Sequence, residues 1–339
     1  MEMTQPGRLQ PPVVVGALLA VVVLVAATLL ISRGDSDQPP SPAAPAAPPS
    51  PTVDADKIAS ARDDDPVSII TEDPTCPEWE PITAALNTEL GNGWHRRDPA
   101  LPQTEWTPDQ RRQYDAVADA MREAADKTVP LAKQTPHRVM RELYEQAIAY
   151  WRAYAESVDN YRPVADELAR TAISAAEAVQ SICAAIDFGA AADRGPLVLP
   201  GPPPVPEGPL SDPARPPRFI AGPSAFCNEW TSMVLEYADQ TREWRDRHDP
   251  NLPGVHRPPE LRELGDDVAA IMQQNADQAQ LLGLMSGNLT AADFAALSSH
   301  YRRAFALALP TYGLPDTHLD AAATRLQSLT DHACRAVRR

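Results

Sequence analysis

The apolar positions of the chain follow two different patterns. Near the amino terminus, residues 13–31 are uncharged and almost wholly apolar, and at 1.5 Å per residue such a run can cross about 30 Å of hydrocarbon. From residue 72 onward, apolar residues instead recur every three or four positions, as on one face of an amphipathic helix. The sequence shows no comparable alternating strand pattern. The patterns therefore predict an all-α chain that begins with one transmembrane helix.

The apolar run at residues 13–31 has two interpretations. A cleaved signal peptide usually has an apolar region of about 7 to 15 residues that ends at a small-residue cleavage site. This run is longer, ends in Leu29-Leu30-Ile31 and has no cysteine directly after it to accept a lipid. We therefore expect an uncleaved signal anchor. Because the following segment is acidic and proline-rich, we expect the amino terminus in the cytoplasm and the bulk of the chain on the extracytoplasmic side of the cell membrane.

The helical part of the chain contains two copies of one pattern. When the chain is shifted by 151 residues against itself without a gap, both pairs of cysteines align and many other positions are identical. The identical pairs include Trp79/Trp230, Asp98/Asp249, Asp126/Asp277, Tyr150/Tyr301, Arg152/Arg303 and Tyr161/Tyr312. Identity spread along a single register indicates a tandem duplication.

Each copy contains four predicted helices. Thr107-Pro108 and Thr135-Pro136 are typical starts for the second and third helices of the first copy, since proline is favoured at the first helical position. In the second copy we expect Thr290 to cap the third helix. The first helix of the first copy carries apolar residues at helical spacing, namely Trp79, Ile82, Leu86 and Leu90. Four helices with short turns between the last three predict an up-down-up-down bundle.

The four cysteines allow three pairings into two disulfides. In an up-down-up-down bundle the start of the first helix and the end of the fourth lie at the same end, and these are the places where the cysteines stand. The duplication then selects Cys76 with Cys183 and Cys227 with Cys334. A metal site is the alternative for paired cysteines, but no second cysteine or nearby histidine gives a ligand spacing. We therefore expect two disulfides, which require an oxidising compartment.

Proline-rich stretches separate the predicted units. Residues 38–52 and 195–217 favour extended polyproline backbone and are not expected to form a packed core, and the acidic residues 54–73 are expected to be solvated and disordered. We expect each bundle to fold on its own. The predicted organisation is a cytoplasmic tail at 1–12, a transmembrane helix at 13–31, a disordered stalk at 32–71, a first bundle at 72–190, a linker at 191–220 and a second bundle at 221–339.

The net charge narrows the choice of partner. The chain has 46 acidic against 30 basic residues, a net charge of −16. Such a balance opposes binding to a phosphate backbone or to an anionic lipid surface. We therefore expect no nucleic-acid partner, and the single span is the contact with the membrane that we expect.

Signatures of catalysis and of cofactor binding are missing from the sequence. There is no phosphate-binding glycine loop, no His-Glu-x-x-His, no Gly-x-Ser-x-Gly and no Cys-x-x-Cys. The seven histidines do not occupy matching positions in the two copies, which argues against a duplicated metal site. We expect no enzyme activity, no cofactor and no metal. An envelope hydrolase is the least favoured alternative, because no nucleophile can be identified.

The most distinctive polar feature is the loop after the first helix of each copy, WHRRDPALP and WRDRHDPNLP. As a recognition loop, its tryptophan would stack on a partner, its arginine would bind an anionic group and its aspartate would orient that group. As a structural plug, the tryptophan would seal the bundle end and the aspartate would bind backbone amides. We favour the plug for the aspartates and recognition for the arginines. The residues concerned are Trp94, Arg96, Asp98, Trp244, Arg247 and Asp249.

A second candidate site is an aromatic residue with a nearby arginine in each third helix, YWRAY and YRRAF. The candidate residues are Tyr150, Arg152, Tyr301 and Arg303. They are either core aromatics with an exposed arginine or the wall of a pocket. A pocket between the bundle helices would suit a small amphiphile, and its further lining residues would be Met121, Met140 and Trp151.

The layout of a short tail, one span, an alanine- and proline-rich stalk and a cysteine-bearing outer domain resembles uncharacterised single-pass membrane-anchored proteins of mycobacteria and related actinobacteria. The resemblance rests on layout and composition and implies a location in the cell envelope. We expect a membrane-tethered, non-enzymatic binding or scaffold module whose partner is an envelope protein or a cell-wall component. The alternative function is a carrier or sensor for a small amphiphile or lipid.

Overall fold

The computed structural model describes residues 54–202 and 210–338, and all regular elements in these residues are helices. The predicted transmembrane segment at 13–31 lies outside the described residues, as do the predicted cytoplasmic tail and the first part of the predicted stalk. Among the helices that the structure describes, none combines the length and the apolar character of a membrane span.

Each copy of the duplicated pattern forms four long helices, which confirms the all-α prediction. Repeat 1 contains α1 (Cys76–Gly91), α2 (Pro108–Gln134), α3 (Arg138–Ser157) and α4 (Asp166–Asp187), followed by the short α5 (Ala190–Arg194). Repeat 2 contains α6 (Ala225–Gln240), the short α7 (Arg242–Arg247), α8 (Pro259–Met285), α9 (Leu289–Ala308) and α10 (Thr317–Ala336). In each repeat, consecutive long helices pack together and the first also contacts the fourth, as in a four-helix bundle.

Capping side chains explain where the helices begin. Thr107 accepts a hydrogen bond from the backbone N–H of Gln110, and the Gln110 side chain accepts one from the N–H of Thr107, which forms a capping box at the start of α2. At the start of α9, the Asn288 side chain accepts a hydrogen bond from the N–H of Ala291 at 3.0 Å. The prediction that Thr290 caps this helix is therefore wrong.

Each repeat is closed by the disulfide that the duplication predicts. Cys76 at the start of α1 is bonded to Cys183 near the end of α4, and Cys227 is bonded to Cys334 in repeat 2. Each bond joins residues 107 positions apart. A cross-link over such a long loop stabilises the fold mainly by reducing the entropy of the unfolded chain.

The two repeats pack against each other through α4 and α10, which form the most extensive helix–helix contact among the described residues. Small side chains allow two helices to approach closely. Both helices are rich in buried alanine, including Ala169, Ala172, Ala175, Ala322 and Ala323. The described residues accordingly form one compact unit with a continuous hydrophobic core. Independent folding of each bundle remains a prediction.

Residues 54–71 pack onto the repeats, so the prediction of a disordered stalk over 32–71 is wrong for this part. The segment forms two short 3-10 turns, Ala55–Lys57 and Ala59–Arg62. Most of its charged residues face solvent, while its few aliphatic residues are removed from water. Burial of the aliphatic residues decides where the segment lies. The buried aliphatic residues are Ile58, Val67, Ile69 and Ile70.

Buried arginines of α3 hold this amino-terminal segment in place. Arg138 donates to the backbone carbonyl of Asp63 and forms an ion pair with Asp293 of α9, with Nε 2.7 Å from the carboxylate oxygen. Arg141 donates to the hydroxyl of Ser60 at 3.1 Å. Both arginines are almost fully buried, and a buried cation is stable only where hydrogen-bond acceptors surround it. The segment supplies part of those acceptors.

The proline-rich linker is also part of the packed structure, which corrects its interpretation as a plain spacer. The N–H of Gly201 donates to the carbonyl of Val67 at 3.1 Å, so the linker contacts the amino-terminal segment. Phe219 is buried and packs edge-on against Tyr150 of α3 and Phe294 of α9, with ring centroids 6.2 and 5.3 Å away. The linker thus joins the central helices of the two repeats.

Candidate functional site

The loops that follow the first helix of each repeat are fixed by the same hydrogen bonds. The hydroxyl of Tyr161 donates to the carbonyl of Pro99 at 3.0 Å, and Asp98 accepts the backbone N–H two residues further on at 2.9 Å. Tyr312 and Asp249 make the equivalent bonds in repeat 2, at 3.0 and 2.8 Å. An aspartate that binds a backbone amide in this way stabilises a turn. These bonds support the plug interpretation of the two aspartates.

The tryptophans of these loops are buried within the protein. Trp94 is completely buried and donates its indole N–H to the hydroxyl of Tyr154 at 3.0 Å, and the Arg97 guanidinium carbon lies 3.2 Å from its ring centroid. Trp244 is 6% exposed and stacks on His248, with ring centroids 4.5 Å apart. Both rings therefore pack inside the fold, and neither lies where it could stack on a partner.

The loop arginines lie at the surface. Arg247 forms an ion pair with Glu243 at 3.1 Å, whereas Arg96 has no ion-pair partner among the described residues. Trp244, Arg247 and Asp249 border a crevice of about 10 Å³, which has room for about one water molecule. A recognition role for Arg96 and Arg247 remains a prediction.

The two loops differ in how their buried charge is balanced. In repeat 1, Arg97 forms an ion pair with Asp166. In repeat 2, His248 occupies the position of Arg97. Its Nδ1 lies 3.3 Å from Nη2 of Arg257, which is the cation at this place. Arg257 is 5% exposed, and burial lowers the pKa of both Arg257 and His248.

The aromatic and arginine residues of the third helices are packed and paired. Tyr150 and Tyr301 are completely buried. Arg152 forms an ion pair with Asp126 at 2.6 Å, and the equivalent Arg303 pairs with Asp277 at 2.8 Å. Each pair joins the third helix of a repeat to the second. These contacts support the core interpretation of the four residues, and the further candidates Met121 and Met140 are likewise completely buried.

An open pocket lies beside Trp151, the residue that follows Tyr150 in α3. Its volume is about 100 Å³, and it lies between α1 and α4 with Trp151 of α3 in its lining. We call it the Trp151 pocket. Its apolar lining residues are Leu86, Leu90, Trp151, Ile173 and Ala176, and its polar lining residues are Thr83, Asn87, His95, Glu177 and Gln180. Sequence reasoning included Trp151 among possible pocket residues but did not identify the other walls.

The indole N–H groups of Trp151 and of Trp79, which stacks on it, have no hydrogen-bond acceptor among the described residues. Trp79 and Trp151 are completely buried and stack with ring centroids 6.0 Å apart. Neither indole nitrogen has a hydrogen-bond partner among the described residues. In repeat 2, Trp230 is the equivalent of Trp79 and donates to the backbone carbonyl of Gln327 at 3.1 Å. Repeat 1 therefore lacks a bond between its first and fourth helices that repeat 2 has.

Repeat 2 fills the corresponding space with a buried polar network. Arg302 is completely buried, forms an ion pair with Asp320 and donates to the side chain of Gln327 at 3.2 Å. Its guanidinium carbon lies 4.5 Å from the ring centroid of Tyr237. At the positions of Arg302, Tyr237 and Gln327, repeat 1 has Trp151, Leu86 and Ala176. Long polar side chains thus occupy in repeat 2 the space that is open in repeat 1.

The buried histidine of α9 joins this helix to the linker. His300 directs Nδ1 at the carbonyl of Ala296, and its Nε2 lies 3.0 Å from the carbonyl of Leu199. Burial lowers the pKa of His300, and a neutral ring donates through one nitrogen at a time.

Within residues 54–202 and 210–338, no three His, Cys, Asp or Glu side chains are grouped so that they could hold a metal ion.

Comparison with known proteins identifies the relatives of this chain. A family described as "Mycobacterial ESX-1 associated protein" matches residues 58–338. An uncharacterised protein of Mycolicibacterium smegmatis (strain MKD8) is 44% identical over 320 residues, which cover 94% of this chain and 84% of that protein. No solved structure matches the chain. The family match includes most of the packed amino-terminal segment and both repeats, so the chain belongs to the family of mycobacterial ESX-1 associated proteins.

Proposed function

We propose that this protein is a non-enzymatic binding or scaffold module of the cell envelope that works with the ESX-1 secretion system. The observation that carries the proposal is the family match over residues 58–338. The two disulfides favour an oxidising compartment. In this proposal, residues 13–31 tether the protein to the cell membrane as a single span, and the two repeats lie on the extracytoplasmic side.

The compact packing of the helices around one core supports a scaffold role. Each repeat is closed by a disulfide, and α4 and α10 join the repeats along a shared core. The net charge of −16 favours a partner that carries basic residues. The proposed partner is therefore a protein of the envelope, and a cell-wall component is the alternative partner.

A carrier or sensor for a small amphiphile is the second candidate function, and the Trp151 pocket is the observation that favours it. The pocket volume of about 100 Å³ is below the roughly 300 to 1,000 Å³ of common small-molecule sites. Met121, Met140 and Tyr150, which are expected to line such a pocket, lie in the core instead. The size of the pocket therefore favours the binding module. An envelope hydrolase is the least favoured candidate.

The function is tested by crosslinking the tagged full-length protein in its native envelope and identifying proteins and lipids in the same purified material. A strain without ESX-1 serves as the control. We expect components of ESX-1 to co-purify in the parent strain and lipid to be substoichiometric. Recovery of about one lipid per protein without any ESX-1 component would favour the carrier and contradict the proposal.

The location is tested separately from the partner. Sequencing of the mature amino terminus should find a start before residue 13, and protease added to spheroplasts should degrade the two repeats. A mature chain that begins after Ile31, or repeats that a protease reaches only from the cytoplasm, would exclude the tethered extracytoplasmic arrangement.

A further inference from the structure

We infer that the Trp151 pocket binds one apolar side chain of a basic protein segment, and that the chain carries this site in repeat 1 and not in repeat 2. The inference rests on the proposed function as a protein-binding module. It names the place of contact and the chemistry of the partner.

The volume of the pocket selects the size of the group that it binds. A buried apolar cavity of about 150 Å³ binds benzene, so a pocket of about 100 Å³ fits one side chain of the size of leucine or methionine. Leu86, Leu90 and Ile173 provide apolar walls. A lipid acyl chain is too long for this space, whereas a single apolar anchor in a pocket is a common hot spot of protein interfaces.

The indole groups distinguish this space from its counterpart in repeat 2. Trp151 lines the pocket, and neither Trp151 nor the Trp79 ring stacked on it has an acceptor for its N–H. Both rings are completely buried, so a bound side chain packs against Trp151 without reaching these N–H groups. In repeat 2 the equivalent Trp230 donates to the fourth helix, and the absence of this bond in repeat 1 accompanies the open space between α1 and α4.

The negative charge beside the pocket comes from Glu177 and from α1. Helix α1 has three glutamates, Glu78, Glu80 and Glu89, and no basic residue, and Glu89 lines a separate hollow between α1 and α2 together with Lys127. Glu177 of α4 lines the pocket, is 44% exposed at its side chain and forms an ion pair with Arg325 at 3.0 Å. Basic residues next to the anchor are favoured by this potential, and an acidic segment is opposed by it.

Repeat 2 does not offer the same site. Arg302 and its partners fill the corresponding space, and the indole N–H of Trp230 already has an acceptor. The duplication therefore supplies one site per chain. Asn87, which lines the pocket, and Ala238, its equivalent in repeat 2, are both exposed and provide matched positions for experiments.

The test uses three fluorescent helical peptides of about 16 residues and the full-length protein. The first peptide consists of lysine and alanine with one central leucine, the second has alanine in place of the leucine, and the third has glutamate in place of the lysines. Binding is measured by fluorescence anisotropy. We expect the first peptide to bind, and each of the other two to bind at least about tenfold more weakly, as for loss of an interface hot spot.

Variants that fill the pocket show whether the peptide binds there. Ala176→Met and Thr83→Met should each weaken the first peptide at least about tenfold. Thr83 is half-buried, so this second variant remains informative if the buried Ala176 does not tolerate methionine. Ala84→Met, on the exposed face of the same helix, is the matched control and should leave binding unchanged. Circular dichroism verifies the fold of each variant.

Several outcomes would overturn the inference. Equal binding of the leucine and alanine peptides, or unchanged binding to a folded pocket-filling variant, would exclude the pocket as the contact site. A photoreactive decanoate that labels the pocket while the first peptide fails to bind would identify a lipid ligand instead. If the peptide test fails while ESX-1 components still co-purify with the protein, this inference is wrong and the proposed function stands.

Discussion

Trp151 and Arg302 occupy the same position in two copies of one fold, yet Trp151 borders an open pocket while Arg302 is buried in an ion pair with Asp320. The long helices, the disulfides and the loop hydrogen bonds of Tyr161 and Tyr312 correspond in the two repeats. The repeats differ in the groups beside their loop tryptophans and in the space between the first and fourth helices. A duplication that keeps the scaffold and changes one space leaves the second copy free to serve stability, while the first has an open space for the partner that we propose.

The buried network of repeat 2 predicts an asymmetric response to mutation. Asp320→Asn should destabilise the protein by about 3 kcal/mol, because it leaves the charge of Arg302 buried without a counter-ion. Arg302→Met removes the buried charge itself and leaves Asp320, which is 27% exposed at its side chain, in contact with water. We therefore expect a smaller loss for Arg302→Met. Urea denaturation of the two variants measures the difference, and a larger loss for Arg302→Met would contradict this account of the network.

The helices could be predicted from local rules, and the disulfide pairing could be predicted from the duplication. Helical spacing, a proline after a capping threonine and the repeat register together determined the positions of eight long helices and the choice among three cysteine pairings. Residues 54–71 of the predicted stalk were predicted wrongly as disordered because their average composition is acidic. The position of this segment depends on four aliphatic residues, Ile58, Val67, Ile69 and Ile70, whose binding surface comes from distant parts of the chain.

The packed amino-terminal segment predicts a specific effect of truncation. A protein that begins at residue 72 should be much less stable than one that begins at residue 54, by more than about 5 kcal/mol, because burial of each large aliphatic side chain contributes about 1.5 to 3 kcal/mol. The truncation also removes acceptors from Arg138 and Arg141. Thermal unfolding compares the two proteins. The double substitution Asp56→Ala and Lys57→Ala, at exposed positions of the same segment, is the control and should have little effect.

Histidine burial predicts that the protein loses stability in mild acid. Burial lowers the pKa of His248, His300 and His318 in the folded protein, while in the unfolded chain each has a pKa near 6.5. Below about pH 6.5 the unfolded chain therefore binds protons that the folded protein does not, and the free energy of unfolding falls as the pH falls. Melting temperatures between pH 7.5 and pH 5 measure this slope, and His300→Gln should reduce it. A melting temperature that stays constant or rises toward pH 5 would be inconsistent with neutral buried histidines.

The loop residues predict different effects for aspartate and arginine. Asp98→Ala should destabilise the protein by about 0.5 to 2 kcal/mol, as for the loss of a capping side chain, because Asp98 accepts a backbone N–H at 2.9 Å. Asp249→Ala should have a similar effect in repeat 2. Arg96→Ala should change the stability by less than about 0.5 kcal/mol, as at other exposed positions. Chemical denaturation measures all three, and a loss for Arg96→Ala as large as that for Asp98→Ala would show that the arginine is structural.

The candidate pocket could be predicted only in part. The exchange of tryptophan for arginine between YWRAY and YRRAF is visible when the two copies are aligned. An open space beside Trp151 depends on the distance between α1 and α4, which is set by contacts along both helices and by no local sequence rule. Tyr150 packs against Phe219 of the linker, and the hydroxyl of Tyr301 donates to the carbonyl of Ile70 in the amino-terminal segment. Their core positions therefore also depend on segments whose sequences are proline-rich or acidic.

The central claim is that repeat 1 binds an ESX-1 partner at the Trp151 pocket, and photocrosslinking in living cells tests it most directly. A photoreactive residue is placed at Asn87 in one strain and at the equivalent Ala238 in another, and the adducts are identified by mass spectrometry. The account predicts an adduct with an ESX-1 protein from position 87, its loss in a protein that also carries Ala176→Met, and no such adduct from position 238. Equal adducts from both positions, or an adduct at position 87 that persists in folded Ala176→Met protein, would contradict it.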